Sequence, residues 1–204
     1  MDNKIETAYS FKKEELSLIK ANCITHDDWD KNVFSTLKGN IRDALRPEQG
    51  NKCCYCKKVL GHDIKEVDIE HIISKATYPK FTFESKNLAL SCPACNTIKG
   101  DKPVLSKKIV RHPSHSKNHT IVHAHYDDYS LHIKIHDGCV FEPLTKKGSH
   151  TITTCELFRL KLVEKKAKAS LSKKSEESEL INLIMNASPT ELTDAMKELM
   201  KRIK

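Results

Sequence analysis

Two pairs of cysteines have the spacing of metal ligands. Each pair is a Cys-x-x-Cys sequence, Cys53 with Cys56 and Cys92 with Cys95. A tight turn of this spacing points two thiolates at one Zn²⁺, and two such turns complete a tetrahedral site with no open position. The sequence therefore predicts a structural zinc site. Cys54 lies inside the first pair and could replace Cys53, although standard ligand spacing favours Cys54 as a buried neighbour.

A carboxylate, a histidine and two asparagines stand close to these pairs. Glu70 and His71 are adjacent in the segment between the pairs, Asn87 precedes the second pair, and Asn96 follows it directly. A hard cation takes oxygen ligands, and a neutral imidazole can deprotonate a water molecule. The combination suits metal-assisted cleavage of a phosphodiester bond, although a Glu-His pair alone is not specific.

In chain order, four motifs resemble those of HNH endonucleases. They are Gly50-Asn51-Lys52-Cys53-x-x-Cys56, Asp68-Ile69-Glu70-His71-Ile72-Ile73, Asn87-Leu88-Ala89-Leu90 and Cys92-x-x-Cys95-Asn96-x-x-Lys99-Gly100. The resemblance implies an enzyme of α+β fold, a phosphodiester hydrolase. Its core would be the ββα-metal fold, in which two strands and a helix surround one divalent ion and zinc knuckles brace them.

The resemblance also implies a role for each polar residue of the motifs. His71 would be the general base, and Glu70 and Asn96 would bind the catalytic Mg²⁺ or Mn²⁺. Asn87 would brace the loop and orient His71, while Asp68 would assist the metal. Glu70 stands where the family more often has aspartate, and Asn96 where its name implies histidine.

Further segments resemble the PtuB family, the HNH subunits of Septu anti-phage defence systems, including retron-associated versions. These segments are Tyr78–Phe83, Asn87–Cys92, Ile121–Asp128 and Thr145–Ser149. The resemblance covers about residues 45–170. It implies a cytoplasmic effector nuclease with DNA as the favoured substrate, bound and controlled by a PtuA-like ATPase.

Two alternatives remain open from the sequence. The same metal and base would cleave RNA, such as a tRNA, because they act on the phosphodiester and not on the sugar. A zinc-stabilised nucleic-acid-binding or adaptor subunit without catalysis would also explain the cysteines and the charge, but would leave the Glu-His-Asn-Asn set as a coincidence.

The net positive charge of the chain favours a polyanionic partner. The chain of 204 residues has 35 Lys and Arg against 27 Asp and Glu, a net charge of +8. Phosphate contacts supply affinity that is independent of sequence and weakens with salt. A solvated surface is the alternative reading of the basic cluster after the second cysteine pair. The candidate phosphate-binding residues are Lys99, Lys102, Lys107, Lys108 and Arg111.

Patterns of periodicity predict the elements that position these residues. Apolar residues at helical steps predict helices over Phe11–Lys20 and Val33–Leu45, the second stopped by Pro47. Alternation in Leu131–Ile135 and a turn at Asp137-Gly138 predict a hairpin. Further helices are predicted at Thr153–Lys168, around Leu180–Ile184 and from Ser188. We expect one compact unit with four parts: a helical segment 1–46, the nuclease core 47–103, a β-rich extension 104–150 and a helical segment 151–204.

Histidines concentrate after Arg111, where eight of the eleven lie. A second metal site there is conceivable, but surface or packing roles are the favoured interpretation. The composition, 38% hydrophobic with 6 Gly and 7 Pro, excludes collagen-like and low-complexity chains. No apolar run is long enough to span a bilayer and no signal peptide is seen, so we expect a cytoplasmic protein without a membrane partner, whose cysteines bind metal or are buried.

Overall fold

A computed structural model describes residues 4–136 and 138–160, without the side chain of Ile64. Residues up to Phe158 belong to one compact unit, and the chain from Arg159 onward belongs to another. The predicted helices around Leu180–Ile184 and from Ser188, and most of the one predicted from Thr153, lie outside the described residues. No helix in the described ranges has the length and apolar character needed to cross a bilayer.

Two antiparallel strands and the helix that follows them form the centre of the fold. Strand β1, Asp68–His71, pairs with β2, Leu88–Ser91, so that Asp68 faces Ser91 and His71 faces Leu88. Helix α3, Pro93–Lys99, begins with a proline in its first turn and is followed by Gly100 at a positive φ of 47°. The predicted β-β-α order is confirmed.

Two helices precede this centre. Helix α1 covers Lys13–Asn22, and its N-terminus is capped by the Glu15 carboxylate, which accepts from the Lys12 backbone N–H at 2.9 Å. Helix α2 covers Ser35–Glu48 and buries Leu37, Ile41 and Leu45, which recur every four residues on one face. Both predicted helices are confirmed, with bounds shifted by two or three residues.

The prediction that Pro47 stops α2 is wrong, because the helix continues to Glu48. Proline removes only its own donor, and the following Gln49 N–H still bonds to the Leu45 carbonyl at 3.0 Å. The Gln49 side chain then holds the outer edge of β2. It accepts from the Leu90 N–H at 2.6 Å and donates to the Leu90 carbonyl at 2.9 Å.

A second sheet lies beyond the centre. Strand β3, Ile133–His136, pairs antiparallel with β4, Val140–Pro143, which confirms the predicted hairpin. Leu131 is not part of it: this residue ends a short 3-10 helix, Tyr129–Leu131, and is 66% exposed.

The segment 104–150 contains less strand than predicted. Outside the hairpin, its described residues form turns, short 3-10 helices and one bridge between Leu105 and His119. Helix α4, Lys146–Thr154, begins within it, with the Thr145 hydroxyl accepting from the Gly148 N–H at 3.1 Å. The predicted start at Thr153 is therefore wrong, since α4 ends one residue later. Gly148 allows close packing, because a Cβ there would lie 2.0 Å from the His132 carbonyl oxygen.

Candidate active site

The four predicted cysteine ligands converge. Cys53 and Cys56 lie in the turn before β1, and Cys92 and Cys95 lie at the start of α3. Their sulfur atoms are all within 4.8 Å of one another, and the Cys56 and Cys92 sulfurs are 3.8 Å apart. Four thiolates at about 2.3 Å from a tetrahedral Zn²⁺ would be about 3.8 Å apart, so this donor set fits zinc.

Cys54 is buried beside this cluster but is not part of it. Its backbone N–H donates to the Leu90 carbonyl at 2.9 Å, which attaches the turn to β2. All eight cysteines lie within the described residues, and none is in a disulfide bond. The cluster joins the turn before β1 to the first turn of α3, and therefore fixes the helix relative to the sheet.

His71 is the last residue of β1, and its ring is held in one orientation. Its Nε2 lies 3.0 Å from the Thr82 carbonyl oxygen, which can only accept, so Nε2 carries the proton. The lone pair of the neutral ring is therefore on Nδ1. Trp29 packs against the ring edge-on, with centroids 4.6 Å apart. Burial lowers the pKa of His71 to about 3, so the ring is neutral at physiological pH.

Asn87 connects the two segments that meet at His71. This fully buried side chain accepts from the Ile73 N–H at 2.8 Å and donates to the Ile73 carbonyl at 2.9 Å. It also donates to the Phe81 carbonyl at 3.0 Å. Since Phe81 precedes Thr82, Asn87 fixes the carbonyl that orients His71 relative to the end of β1.

Oxygen donors lie on β1 and α3. Strand alternation places Asp68 and Glu70 on the same face of β1. On α3, the Asn96 amide nitrogen donates to Asp68 Oδ2 at 2.9 Å. This bond leaves the Asn96 amide oxygen for another partner. Carboxylate and amide oxygens are the donors that Mg²⁺ and Mn²⁺ prefer, so this set fits a hard cation.

Glu70 is buried and shares one oxygen between two donors. The Tyr55 hydroxyl donates to Oε1 at 3.0 Å, and the Lys99 ammonium lies 2.6 Å from the same atom. Burial raises the pKa of Glu70, and the Lys99 charge opposes that rise. Because both contacts use Oε1, Oε2 is the oxygen that can face a cation.

The structure differs from the sequence prediction at Lys99. We predicted a surface phosphate contact, but this residue is 1% exposed. Its ammonium donates to the His71 carbonyl at 2.7 Å and to the Gly100 carbonyl at 3.2 Å, besides pairing with Glu70. Lys99 therefore holds α3 against β1. It also lines the cavity described below, with its ammonium bonded to these three oxygen atoms.

One cavity of about 380 Å³ brings the polar residues together. Asp68, Glu70, His71 and Asn96 all line it. Its wall also includes residues that sequence reasoning missed. Lys38 and Arg42 are one turn apart on α2, beside the buried apolar face of that helix. Their i, i+4 spacing was the available signal. The missed lining residues with charge or an aromatic ring are Trp29, Asp30, Lys38, Arg42, Lys75 and Asp101.

The other predicted phosphate-binding residues lie outside this cavity. Lys102, Lys107 and Lys108 line a neighbouring cavity of about 290 Å³. It shares Ser74 and Asp101 with the first. Lys102 donates to the Thr154 carbonyl at 2.9 Å, whereas Arg111 is exposed.

The HNH endonuclease family matches residues 53–102, which contain both cysteine pairs, β1, β2 and α3. This chain contains an HNH endonuclease domain. The HNH domain provides every oxygen donor and the histidine described above. The basic residues on α2 come from outside the matched range.

Two curated proteins extend the likeness beyond the HNH domain. The chain is 31% identical over 157 residues to the Septu protein PtuB of Bacillus thuringiensis, covering 74% of this chain and 56% of that protein. It is 32% identical over 77 residues to a retron Vc95 protein of Vibrio cholerae serotype O1 biovar El Tor, whose name places it with HNH endonucleases. That match covers 36% of this chain and 37% of the relative. The chain thus spans about half or less of the length of these relatives.

Proposed function

We propose that this protein is a metal-dependent HNH endonuclease acting as the nuclease effector of a Septu-type defence complex. One observation carries the proposal. The neutral His71 ring, with its proton fixed on Nε2 by the Thr82 carbonyl, lines the same cavity as three oxygen donors. A base with a free lone pair beside a site for a hard cation is the arrangement that hydrolysis of a phosphodiester requires.

In the proposed reaction, His71 Nδ1 takes a proton from a water molecule. The water oxygen attacks phosphorus, and the bond from phosphorus to the 3′ oxygen breaks. The leaving 3′ oxygen takes a proton from solvent and His71 returns its proton to solvent, so that the products carry a 5′-phosphate and a 3′-hydroxyl. Asp68, Glu70 and Asn96 would hold a Mg²⁺ or Mn²⁺ ion, which would neutralise the negative charge that grows on the phosphate and the leaving oxygen.

Basic residues at the cavity would bind the nucleic-acid backbone. Lys38, Arg42 and Lys75 line the cavity itself, and Lys107 and Lys108 line the cavity beside it. These positive charges can pair with the backbone phosphates of either DNA or RNA. We favour DNA as the substrate and keep RNA as the alternative.

A PtuA-like ATPase is the proposed partner. Support comes from the likeness to the Septu protein PtuB, which covers 74% of this chain. The proposal places the complex in the cytoplasm, in agreement with eight cysteines that form no disulfide bond. The ATPase would control when the nuclease acts.

A non-catalytic adaptor is the second candidate. It would account for the zinc site and the charge. It does not account for the fixed tautomer of His71, nor for three oxygen donors around one cavity. We therefore place it second.

Incubation of the purified chain with plasmid DNA and with tRNA tests this function. Each substrate is offered with Mg²⁺, with Mn²⁺ and with EDTA, both with and without the ATPase. We expect plasmid cleavage that depends on the metal and yields ends that ligate directly. Cleavage of tRNA alone would establish the RNA alternative. Tight binding without cleavage, under every metal and with the ATPase present, would contradict the nuclease proposal and support an adaptor.

A further inference from the structure

Three histidines converge in the segment between the HNH domain and the β3–β4 hairpin. His112, His119 and His123 each place a ring nitrogen so that the three atoms lie within 4.8 Å of one another. His119 and His123 are buried, and His112 is half-buried. None of the three lines the catalytic cavity or belongs to the cysteine cluster.

The ring nitrogens of this cluster are buried without hydrogen-bond partners among the described residues. The atoms concerned are His112 Nε2, both nitrogens of His119, and His123 Nε2. Leaving a buried donor or acceptor unpaired destabilises the folded state, so such groups are rare in proteins. Two other buried histidines follow the usual rule, since His71 bonds to the Thr82 carbonyl and His125 to the Leu88 carbonyl.

We propose that His112, His119 and His123 bind a Zn²⁺ ion, separate from both the cysteine site and the catalytic cation. Imidazole nitrogen binds Zn²⁺ at about 2.0–2.1 Å, and nitrogens already within 4.8 Å of one another reach that distance through small ring rotations. Three protein ligands leave the fourth position of the tetrahedron to water. The ion would satisfy one nitrogen of each ring.

The contacts around the rings define the binding mode. A ring that binds a metal through one nitrogen carries its proton on the other. His123 Nδ1 accepts from the His125 N–H at 3.2 Å, so binding of zinc through Nε2 would break this long contact. Tyr126 stacks on His123 with centroids 4.3 Å apart and holds the ring in place. Burial lowers the pKa of all three histidines, which favours the neutral form that binds metals.

A metal here would stabilise a segment that has little regular structure. His112 and His119 lie in turns and loops with little strand pairing. A bound zinc ion would cross-link these turns and so stabilise them. The His112 ring also packs edge-on against Phe81, with centroids 5.2 Å apart. Because Phe81 precedes Thr82, the ion would also support the loop that orients His71.

Zinc content and zinc coordination of the full chain test the site without any assay of cleavage. The chain is loaded with Zn²⁺, passed through gel filtration, and examined by elemental analysis and by X-ray absorption at the zinc edge. We expect two tightly held zinc ions per chain and outer-shell scattering typical of imidazole. The cysteine site contributes only sulfur. The measurement is repeated in the His71→Ala background, which removes the imidazole beside the oxygen donors of the cavity. Imidazole scattering that persists in this background reports on the histidine cluster.

Matched histidine variants identify the ligands. His119→Ala and His123→Ala are each expected to lose one zinc and the imidazole signal while keeping the sulfur signal. His115→Ala removes an exposed histidine from the same segment and is expected to keep both ions. Should a variant fail to fold, the spectrum of the His71→Ala chain decides alone. Sulfur scattering without imidazole in the wild type, or equal zinc content in wild type and both variants, would overturn the proposal.

Discussion

At the scale of single residues, the proposed catalysis would depend on the direction of one imidazole ring. The Thr82 carbonyl fixes the proton of His71 on Nε2, and Trp29 packs against the ring. Asn87 then fixes the loop that carries this carbonyl through three hydrogen bonds. Asn87 lies behind the ring and is a positioning residue, whose effect on the reaction passes through His71.

Asn87→Ala should destabilise the protein and reduce cleavage. Removing the amide leaves the Ile73 N–H and two carbonyls buried without partners, which lowers the free energy of unfolding by about 3 kcal/mol. Denaturant unfolding measures the stability, and cleavage below the transition measures the activity. Asn32→Ala, at an exposed position, is the control and should change neither quantity. Wild-type stability in the Asn87 variant would refute the role assigned to this side chain.

At the scale of elements, the cysteine cluster holds α3 against the strand pair. The turn before β1 contributes Cys53 and Cys56, and α3 contributes the other pair, so the oxygen donors on β1 and α3 keep their relative positions. The buried Lys99 ammonium adds a second link between α3 and the end of β1.

Adjacent cysteines provide a matched test of the zinc ligands. Cys53→Ser should lose zinc and unfold at a lower temperature, because the sulfur of Cys53 belongs to the cluster. Cys54→Ala should keep zinc, because Cys54 lies outside the cluster. Elemental analysis of the two purified variants measures the bound metal. Loss of zinc from the Cys54 variant alone would make Cys54 the ligand and contradict the assignment.

The sequence predicted the elements that depend on local pattern. Helices α1 and α2 and the β3–β4 hairpin follow from periodicity and turn residues, whereas the β-β-α order was implied by the resemblance to HNH endonucleases. It could not predict Lys99, because a lysine in a basic run has the same local pattern whether its stem turns outward or inward. Lys38 and Arg42 were missed because they join the cavity only through the packing of α2 on the sheet, which is a tertiary contact.

At the scale of the whole molecule, positively charged residues from outside the HNH domain line the cavity. Lys38 and Arg42 are on α2, before the matched range, yet line the same cavity as the oxygen donors. Under the proposed function, the surface that binds the substrate would therefore extend beyond the HNH domain.

Arg42→Ala should weaken nucleic-acid binding and its dependence on salt. Each lost phosphate contact lowers the slope of log affinity against log salt by about one. The measurement uses the His71→Ala background, duplex DNA and a series of salt concentrations. Lys13→Ala removes an exposed charge of α1 that does not line the cavity, and should leave the slope unchanged. Equal slopes for the two variants would exclude a phosphate contact at Arg42.

Buried neutral histidines should make the whole molecule less stable in mild acid. Burial lowers the pKa of His71 to about 3 and that of His125 to about 4, below the ordinary value of 6.5. Between the lowered pKa of each buried histidine and 6.5, the unfolded chain binds more protons than the folded chain. The stability contributed by the neutral rings is therefore fully present above about pH 6.5 and is lost as the pH falls below that value. Each group contributes up to about 1.4 kcal/mol per pH unit. Thermal unfolding from pH 7 to pH 5 measures the loss, which His125→Gln should reduce. Constant stability over this range would contradict the buried neutral state.

The most direct test of the account compares cleavage by the wild type and by His71→Ala in Mg²⁺. His150→Ala, an exposed histidine, is the matched control, and zinc content and unfolding temperature are measured on all three proteins. We expect His71→Ala to lose at least about 100-fold in rate, as befits a general base, while keeping its zinc. The control should cleave like the wild type. A folded His71→Ala protein that cleaves within a few-fold of the wild-type rate would contradict the central claim that His71 activates the attacking water.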